Sequence, residues 1–322
     1  METLPVALVQ APPVFLNLTA SLDKAVGLIE EAARQGARLV VFPETWLPGY
    51  PVWLDEAPGS AMWGHEPAER MFKRLFDNAP ALDGPELARL AEFAAARRVE
   101  VVMGLHERLG ASLYNTMLFI DAQGGWTIHR KLTPTFNERL IWAQGDGSTL
   151  QTFPRDYGVL GGLVCWEHWM PLARAAMHAQ AETVHVAQWP AVGEMHQIAS
   201  RQYAFEGQCF VLASGCVLTR DDVLEGFDSV RSPDLVARAL LETIPPERLF
   251  LKEGGSAVIA PDGSYVAEPV YRDPGTLVAD LHLSQVGSGR LYLDTNGHYA
   301  RPDVFELRVD TRPKVSVRFG EN

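Results

Sequence analysis

Residues 159–174 read VLGGLVCWEHWMPLAR, and this stretch decides the fold class. Its first seven residues form a short apolar run of the kind that builds strands buried on both faces of a parallel sheet. The run ends at Cys165, and Pro171 stands where a helix over 170–180 would begin. A strand, a turn and a helix in this order predict one unit of an α/β fold, with Cys165 at the carboxyl end of its strand.

The same alternation of strand-like and helix-like segments continues on both sides of this unit. Apolar runs predict strands, and apolar residues at helical spacing predict helices. The predicted strands cover 4–10, 38–42, 99–105, 113–121, 126–130, 159–165, 183–188, 209–217, 255–260 and 276–281. The predicted helices cover 19–35, 66–77, 85–98, 170–180, 193–207 and, inside the acidic segment 220–250, residues 234–243. Segments 45–65 and 132–150 predict loops.

Length and composition are compatible with a single large domain. The chain has 322 residues, of which 47% are hydrophobic and 21% are charged, and these values are typical of globular proteins. No Ser- or Gly-rich linker divides the sequence. We therefore expect one domain over 1–292, followed over 293–322 by an extended, strand-like arm that packs on a partner subunit.

Charge and cysteine content exclude several classes of protein. The net charge is −12, and the scattered basic residues form no patch of the kind that binds nucleic acid. No apolar stretch approaches the roughly 20 residues that a membrane-spanning helix needs. The N-terminus lacks the features of a signal peptide, and three cysteines argue against a disulfide framework. We therefore expect a cytoplasmic protein without nucleic-acid or membrane partners.

Three polar side chains lie at the carboxyl ends of predicted strands: Glu44, Lys131 and Cys165. Open α/β sheets place their ligands at the carboxyl ends of strands. A thiol becomes nucleophilic beside a base, which Glu44 could supply, and Lys131 could stabilise negative charge on a substrate. Each residue alone also has a plainer interpretation, as a buried thiol, a helix cap or a solvated cation. The long gaps between them do not establish the trio.

Several familiar motifs are missing from the sequence. It contains no G-x-S-x-G, no Walker A loop and no H-E-x-x-H, and no cysteine pair has zinc spacing. We therefore expect no metal site.

The local contexts of the three residues resemble those of the nitrilase superfamily, and within it the true nitrilase branch. The segments that carry this resemblance are FPETWLPGYP (42–51), HRKLTPTFNERLIWAQGDGS (129–148), GGLVCWEHWMPLAR (161–174) and GGSAVIAPDG (254–263). The Cys-Trp-Glu-His sequence is typical of nitrilases. The resemblance implies an α/β fold built as a four-layer α-β-β-α sandwich, with residues 1–292 as its catalytic domain.

The resemblance also implies a site and a reaction. Glu44, Lys131 and Cys165 would be the catalytic triad, and Glu138 would position the lysine and the substrate. Cys165 would attack an organic nitrile, pass through a thioimidate and a thioester, and release a carboxylic acid and ammonia without a cofactor. Lys131 and the backbone N–H of Trp166 would stabilise the charged intermediates. An amidase, a cyanide-hydrating enzyme and a non-catalytic binding protein of the same fold remain alternatives.

Aromatic residues near the strand ends are candidates for the substrate pocket. We expect Tyr50, Trp166, Trp189 and Pro190 to bind the substrate, because such residues commonly line small-molecule sites. An aromatic wall would suit an aryl or arylaliphatic nitrile. Trp53 and Trp63 are expected at a subunit contact instead.

The residues after Cys165 and the oligomeric state complete the expectations. A structural role is favoured for Glu167, while His168 could orient the turn or cap a helix. The resemblance implies a homodimer formed through helices near 170–180 and 195–207, with larger homo-oligomers as a further possibility.

Overall fold

Two β-sheets lie at the centre of the molecule. The structure is a computed structural model that describes residues 2–230, 234–315, 317 and 320. In chain order the strands are β1 (Thr3–Val9), β2 (Leu39–Val41), β3 (Glu100–Leu109), β4 (Ser112–Ile120), β5 (Trp126–Arg130), β6 (Phe153–Arg155), β7 (Gly158–Val164), β8 (Val184–Gln188), β9 (Phe210–Ser214), β10 (Val217–Thr219), β11 (Phe250–Ile259), β12 (Tyr265–Tyr271) and β13 (Thr276–His282).

Each sheet combines parallel and antiparallel strands. The first has the order β13-β1-β2-β3-β4-β5, and β1, β2 and β3 run parallel. The second has the order β10-β11-β9-β8-β7-β6, with β12 paired to β11, and β7, β8 and β9 run parallel. The carboxyl ends of the parallel strands in the middle of each sheet therefore lie side by side, and polar side chains can converge there.

Helices cover the outer faces of the two sheets. They are α1 (Leu18–Arg34), α2 (Trp53–Glu56), α3 (Glu66–Asp77), α4 (Pro85–Arg97), α5 (Pro171–His178), α6 (Glu194–Gly207), α7 (Arg220–Asp228) and α8 (Leu235–Glu242). The first begins at Asn17, whose side-chain oxygen accepts a hydrogen bond from the N–H of Ala20 at 3.1 Å, as an N-cap does. Among the described residues, no helix combines the length and the apolar character that crossing a membrane requires.

The alternation of side chains along β2 shows how the layers are built. Leu39 and Val41 are fully buried in a core that also contains Val186 of the second sheet. Val40, between them, is buried in another core together with residues of α1 and α4, such as Ile29. Because successive side chains point to opposite faces of a strand, one short apolar run serves both cores. The result is the predicted four-layer α-β-β-α sandwich.

The elements agree closely with the sequence-based predictions, with some differences. The predicted strand 209–217 is two strands, β9 and β10, and strands β6 and β12 and helix α7 were not predicted. The short α2 lies inside the predicted loop 45–65. Residues 293–315 of the expected arm contain no helix or strand, and much of its strand-like end (316, 318, 319, 321 and 322) lies outside the described residues.

Candidate active site

Cys165 lies where β7 ends, as the sequence predicts. It is the first residue of a 3₁₀ turn, Cys165–Trp169, and its backbone adopts a left-handed conformation with φ of 55°. Only 4% of the residue is exposed. The strand itself lies close to the other sheet, since a Cβ added to Gly162 would be 2.6 Å from the sulfur of Met117. Glycine at 162 therefore allows the two sheets to approach each other next to the thiol.

Glu44 and Lys131 meet at the same edge. The Nζ atom of Lys131 donates a hydrogen bond to Oε1 of Glu44 at 2.8 Å, and both side chains are fully buried. Glycine at 104 makes room for the segment before Glu44, because a Cβ there would be 2.1 Å from the carbonyl oxygen of Pro43. The structure thus brings together two side chains that are 87 residues apart in the sequence.

Glu138 completes the group around the ammonium. Its Oε2 accepts a hydrogen bond from Nζ of Lys131 at 2.6 Å and another from the N–H of Thr135 at 2.6 Å. Its Oε1 accepts a third from the hydroxyl of Tyr50 at 3.0 Å. The ammonium of Lys131 therefore lies between two carboxylates, and Glu138 is held in place by three donors. A buried positive charge with two such partners is far better compensated than an isolated one.

One oxygen of Glu44 is available to the thiol. Oε1 accepts hydrogen bonds from Lys131 and from Nδ2 of Asn115, the latter at 2.6 Å. Oε2 has no hydrogen-bond partner among the described residues. Ligand atoms of Glu44, Glu138 and Cys165 all lie within 4.8 Å of one another. Oε2 is therefore the atom that can accept the proton of Cys165, while Oε1 stays bound to its donors.

Burial sets the protonation states of these groups. Burial raises the pKa of Glu44 to about 7, against the opposing charge of Lys131. Burial also raises the pKa of the Cys165 thiol well above its usual value; Glu44 adds to the rise and Lys131 opposes it. For Lys131, burial lowers the pKa, but the facing Cys165, Glu44 and Glu138 raise it above its ordinary range. The resting site therefore contains an ammonium and a neutral thiol beside a carboxylate that titrates near neutrality.

Glu167 connects the strand ends that carry Lys131 and Cys165. Its carboxylate accepts hydrogen bonds from the N–H of Leu132 and the N–H of Val164, both at 2.7 Å. It also accepts one from Nε2 of His129 at 2.9 Å. Leu132 and Val164 are the immediate neighbours of Lys131 and Cys165 in the sequence. The structure thus gives Glu167 the structural role that the sequence analysis favoured.

A cavity of about 410 Å³ opens onto Cys165 and Glu138. Tyr50, Trp166 and Pro190 line it, as expected. The sequence analysis did not predict the other lining residues, which are Asp55, Thr135, Phe136, Asn137, Ala191, His196 and Lys252. The cavity is therefore lined by aromatic side chains and, in addition, by polar and charged groups.

Trp189 was expected in the wall of the pocket, but it lies in the core. Its indole is fully buried, packs against the ring of His168 with 4.8 Å between the centroids, and does not line the cavity. The side chain at the end of β8 points into the core because the alternation along the strand places it there. Trp53 is likewise core, at 1% exposure, whereas Trp63 is fully exposed.

Comparison with known proteins identifies the family. A family model described as carbon-nitrogen hydrolase matches residues 5–291. A nitrilase from Pseudomonas syringae pv. syringae is 40% identical over 98% of this chain and 92% of its own length. An aliphatic nitrilase from Rhodococcus rhodochrous is 38% identical over 98% of this chain and 81% of its own length. The chain belongs to the nitrilase branch of the carbon–nitrogen hydrolase family. It is an enzyme that hydrolyses carbon–nitrogen bonds.

Solved structures with lower identity have the same fold as this hydrolase. The NitFhit protein of C. elegans superimposes with a TM-score of 0.72 at 18% identity, over 98% of this chain and 69% of that one. A carbon–nitrogen hydrolase from Helicobacter pylori G27 gives a TM-score of 0.66 at 17% identity, over 94% and 96% of the two chains. At these identities the likeness shows the fold alone.

Some residues of the hydrolase site could not be found from the motifs. Asn115, which donates to Glu44, lies in β4 next to Thr116, and nothing in the local sequence distinguishes it as a residue of the site. Lys252 lies 3.5 Å from Asp55 and over the ring of Tyr50, at 4.6 Å from its centroid. It is about 200 residues from Tyr50 in the sequence, and no local pattern joins the two.

Proposed function

We propose that this hydrolase converts an organic nitrile into the carboxylic acid and ammonia, with Cys165 as the nucleophile. The observation that carries the proposal is the meeting of Glu44, Lys131 and Glu138 around one buried thiol. The nitrilases that are 38–40% identical over nearly the whole chain support the choice of a nitrile as substrate.

The first half of the reaction makes a covalent intermediate. The thiol proton passes to Oε2 of Glu44 as the sulfur of Cys165 attacks the nitrile carbon. Glu44 then passes this proton to the nitrile nitrogen, which gives a neutral thioimidate and restores the carboxylate. The negative charge that develops on this nitrogen is stabilised by the ammonium of Lys131 and by the N–H of Trp166. That N–H is in the first turn of a short helix, where backbone donors lack intrahelical partners.

The second half releases the products. Glu44 takes a proton from water, which adds to the thioimidate carbon, and ammonia leaves to give a thioester. A second water, activated in the same way, cleaves the thioester and restores the thiol of Cys165. In total, one nitrile and two waters yield one acid and one ammonia. Proton transfer by a positioned carboxylate contributes on the order of 10²–10⁴-fold to such a rate.

The cavity favours a substrate with an aryl or arylaliphatic group. Tyr50, Phe136 and Trp166 give the ring-shaped part of such a substrate an apolar surface next to Cys165. A volume of about 410 Å³ is sufficient for a phenyl ring with a short linker.

Ammonia release from phenylacetonitrile, benzonitrile and a short aliphatic nitrile tests the substrate class. We expect the highest kcat/KM with phenylacetonitrile and benzonitrile; preference for the aliphatic nitrile would contradict an aromatic-selective cavity. The corresponding amides, assayed in parallel, separate a nitrilase from an amidase. Faster turnover of the amide than of its nitrile would contradict the proposal.

We also propose that the protein is a cytoplasmic homodimer or larger homo-oligomer. Leu172 on α5 and Met195, Ile198 and Phe205 on α6 are apolar and about half exposed or more. A cluster of this kind on adjacent helices is typical of a protein–protein contact. Light scattering should give at least twice the mass of 35.5 kDa, and a monomer would contradict this assembly.

A further inference from the structure

A second group of buried polar side chains is joined to the main chain of Cys165 rather than to its thiol. Glu182 comes just before β8, His185 lies on β8, and His168 lies in the 3₁₀ turn after Cys165. Each of the three is at most 1% exposed, and the mechanism above uses none of them. We call these three residues the histidine chain.

Hydrogen bonds connect the histidine chain from end to end. Oε1 of Glu182 lies 2.7 Å from Nδ1 of His185. Nε2 of His185 lies 3.0 Å from Nε2 of His168. Nδ1 of His168 lies 2.7 Å from the carbonyl oxygen of Cys165. At the far end, the hydroxyl of Tyr203 donates to Oε2 of Glu182 at 2.5 Å.

The carbonyl oxygen at one end fixes where the protons must be. It can only accept, so Nδ1 of His168 carries a proton. Burial lowers the pKa of His168 to about 3, so the ring is neutral and its Nε2 is an acceptor. His185 must then donate from its own Nε2. One more proton is required between Nδ1 of His185 and Oε1 of Glu182.

That last proton is held by Glu182. Burial raises the pKa of Glu182 to about 7, while burial lowers the pKa of His185 well below its usual value. Glu182 as a carboxylic acid can donate to Nδ1 of a neutral His185 and still accept from Tyr203. All groups of the histidine chain are then neutral, and every donor points toward Cys165.

The acceptor at the end of the histidine chain is a strained residue. Cys165 has φ of 55°, and a residue other than glycine pays roughly 1–2 kcal/mol for that conformation. Such strain persists only where the surroundings fix it. The hydrogen bond from His168 fixes the carbonyl of Cys165, and therefore the direction of the thiol.

Two further contacts show that the histidine chain is built into the site. The ring of His168 stacks on Trp189 with an angle of 28°, and the carbonyl of Trp189 accepts from the N–H of Glu44 at 3.3 Å. The same histidine therefore packs against the residue that holds the main chain of the base. At the other end, a Cβ on Gly161 would be 1.9 Å from Oε1 of Glu182, so glycine in β7 leaves space for the carboxyl group.

From this geometry we infer that Glu182, His185 and His168 are positioning residues for catalysis: a neutral chain of donors that holds the nucleophile Cys165 in its left-handed turn. The inference rests on the proposed role of Cys165. Beyond the Glu–Lys–Cys group, catalysis would then also require a neutral hydrogen-bond donor at position 182.

Two variants at position 182 test the inference in the full-length enzyme. Glu182→Gln supplies an amide that donates to His185 and accepts from Tyr203, whereas Glu182→Leu has a similar volume and no donor. We expect the Gln variant to keep kcat, and the rate of Cys165 alkylation by iodoacetamide, within about threefold of the wild type. The Leu variant should lose roughly 10- to 100-fold in both, the usual cost of removing buried hydrogen-bonding partners. KM should change little in either variant, because neither Glu182 nor His185 lines the cavity as described.

A second pair of variants keeps the inference testable if the Leu variant does not fold. His168→Asn places an amide N–H near the position of Nδ1, and His168→Leu removes the donor. We expect the Asn variant to keep at least about tenfold more of kcat and of the alkylation rate than the Leu variant. Equal losses in the Gln and Leu variants at 182, or equal rates in the two variants at 168, would overturn the inference. Alkylation of Cys165 is measured without a nitrile, so a wrong substrate assignment would leave this comparison intact.

Discussion

Two groups of buried polar residues meet at Cys165, and the cost of removing their polar atoms from water is compensated differently in each. Around the thiol, Lys131 lies between Glu44 and Glu138, so charge is balanced by charge. Along the histidine chain, from Glu182 to the carbonyl of Cys165, each hydrogen bond joins a neutral donor to a neutral acceptor. A buried charge is tolerated only with close partners, whereas a neutral chain of hydrogen bonds requires only that each donor faces an acceptor. The first arrangement provides reactive groups, and the second provides a rigid support.

Removing the thiol should have the largest effect. Cys165→Ala is expected to lower the rate of ammonia release from a nitrile by at least about 10⁴-fold, as loss of a nucleophile does in other covalent enzymes. Cys216→Ala is the matched control, because Cys216 is also a buried free thiol but neither lines the cavity nor belongs to the histidine chain. The control should stay within a few-fold of the wild type. Comparable losses in both variants would mean that the effect reflects packing rather than chemistry.

Removing the charge of Lys131 should destabilise the protein far more than replacing the neutral carboxyl group of Glu182 with an amide. Lys131→Met leaves Glu44 and Glu138 as adjacent buried carboxyl groups, at an expected cost of about 3–5 kcal/mol in the free energy of unfolding. Glu182→Gln should cost less than about 1 kcal/mol, because the amide preserves the hydrogen bonds. Urea unfolding of both variants checks the difference, and equal losses would contradict the contrast between the two groups.

The pH dependence of stability tests whether Glu182 is neutral. Its pKa is raised to about 7 in the folded protein, from 4.5. The stabilising contribution is therefore complete below pH 4.5 and is lost as the pH rises through about 7. Between pH 4.5 and 7 the wild type should lose on the order of 3 kcal/mol relative to Glu182→Gln, as measured by urea unfolding at both values. A carboxylate paired with a charged His185 would instead leave stability nearly constant between about pH 5 and 6.5, because both groups would then be charged in the folded and in the unfolded protein.

The acid side of the pH dependence of catalysis belongs to the first group. Glu44 must be ionised to accept the thiol proton, and burial raises its pKa to about 7. Below that pH, kcat/KM should fall about tenfold per pH unit. The same acid limb should appear in Glu182→Gln. A limb that moves in this variant would show that the activity titrates with Glu182 rather than with Glu44.

The positions of the strand-end residues could be predicted from the sequence better than the side chains around them. Cys165, Glu44 and Lys131 lie at the ends of predicted strands, and a residue at the end of a strand can be located from the pattern alone. Glu138 came from the family resemblance. The direction of a side chain beyond the strand was harder to predict, which is why Trp189, expected in the pocket, is fully buried. The hydrogen bonds of His168 depend on β8, whose register against β7 no local pattern reveals.

The missed elements also have physical reasons. Strand β12 contains Pro269, which argues against a strand unless the strand lies at an edge of its sheet, where β12 pairs with β11. Helix α7 contains Gly226, which lowers helix propensity, but the Thr219–Asp222 capping box is a start signal that could have identified it.

The central claim is that Cys165 becomes covalently attached to the substrate carbon, and intact-protein mass spectrometry tests it most directly. The enzyme is mixed with phenylacetonitrile, quenched with acid during turnover, and digested to locate any adduct. The account predicts a thioimidate or thioester adduct on the peptide that contains Cys165, and none in Cys165→Ala. An adduct on another residue, or turnover that persists in Cys165→Ala, would contradict it.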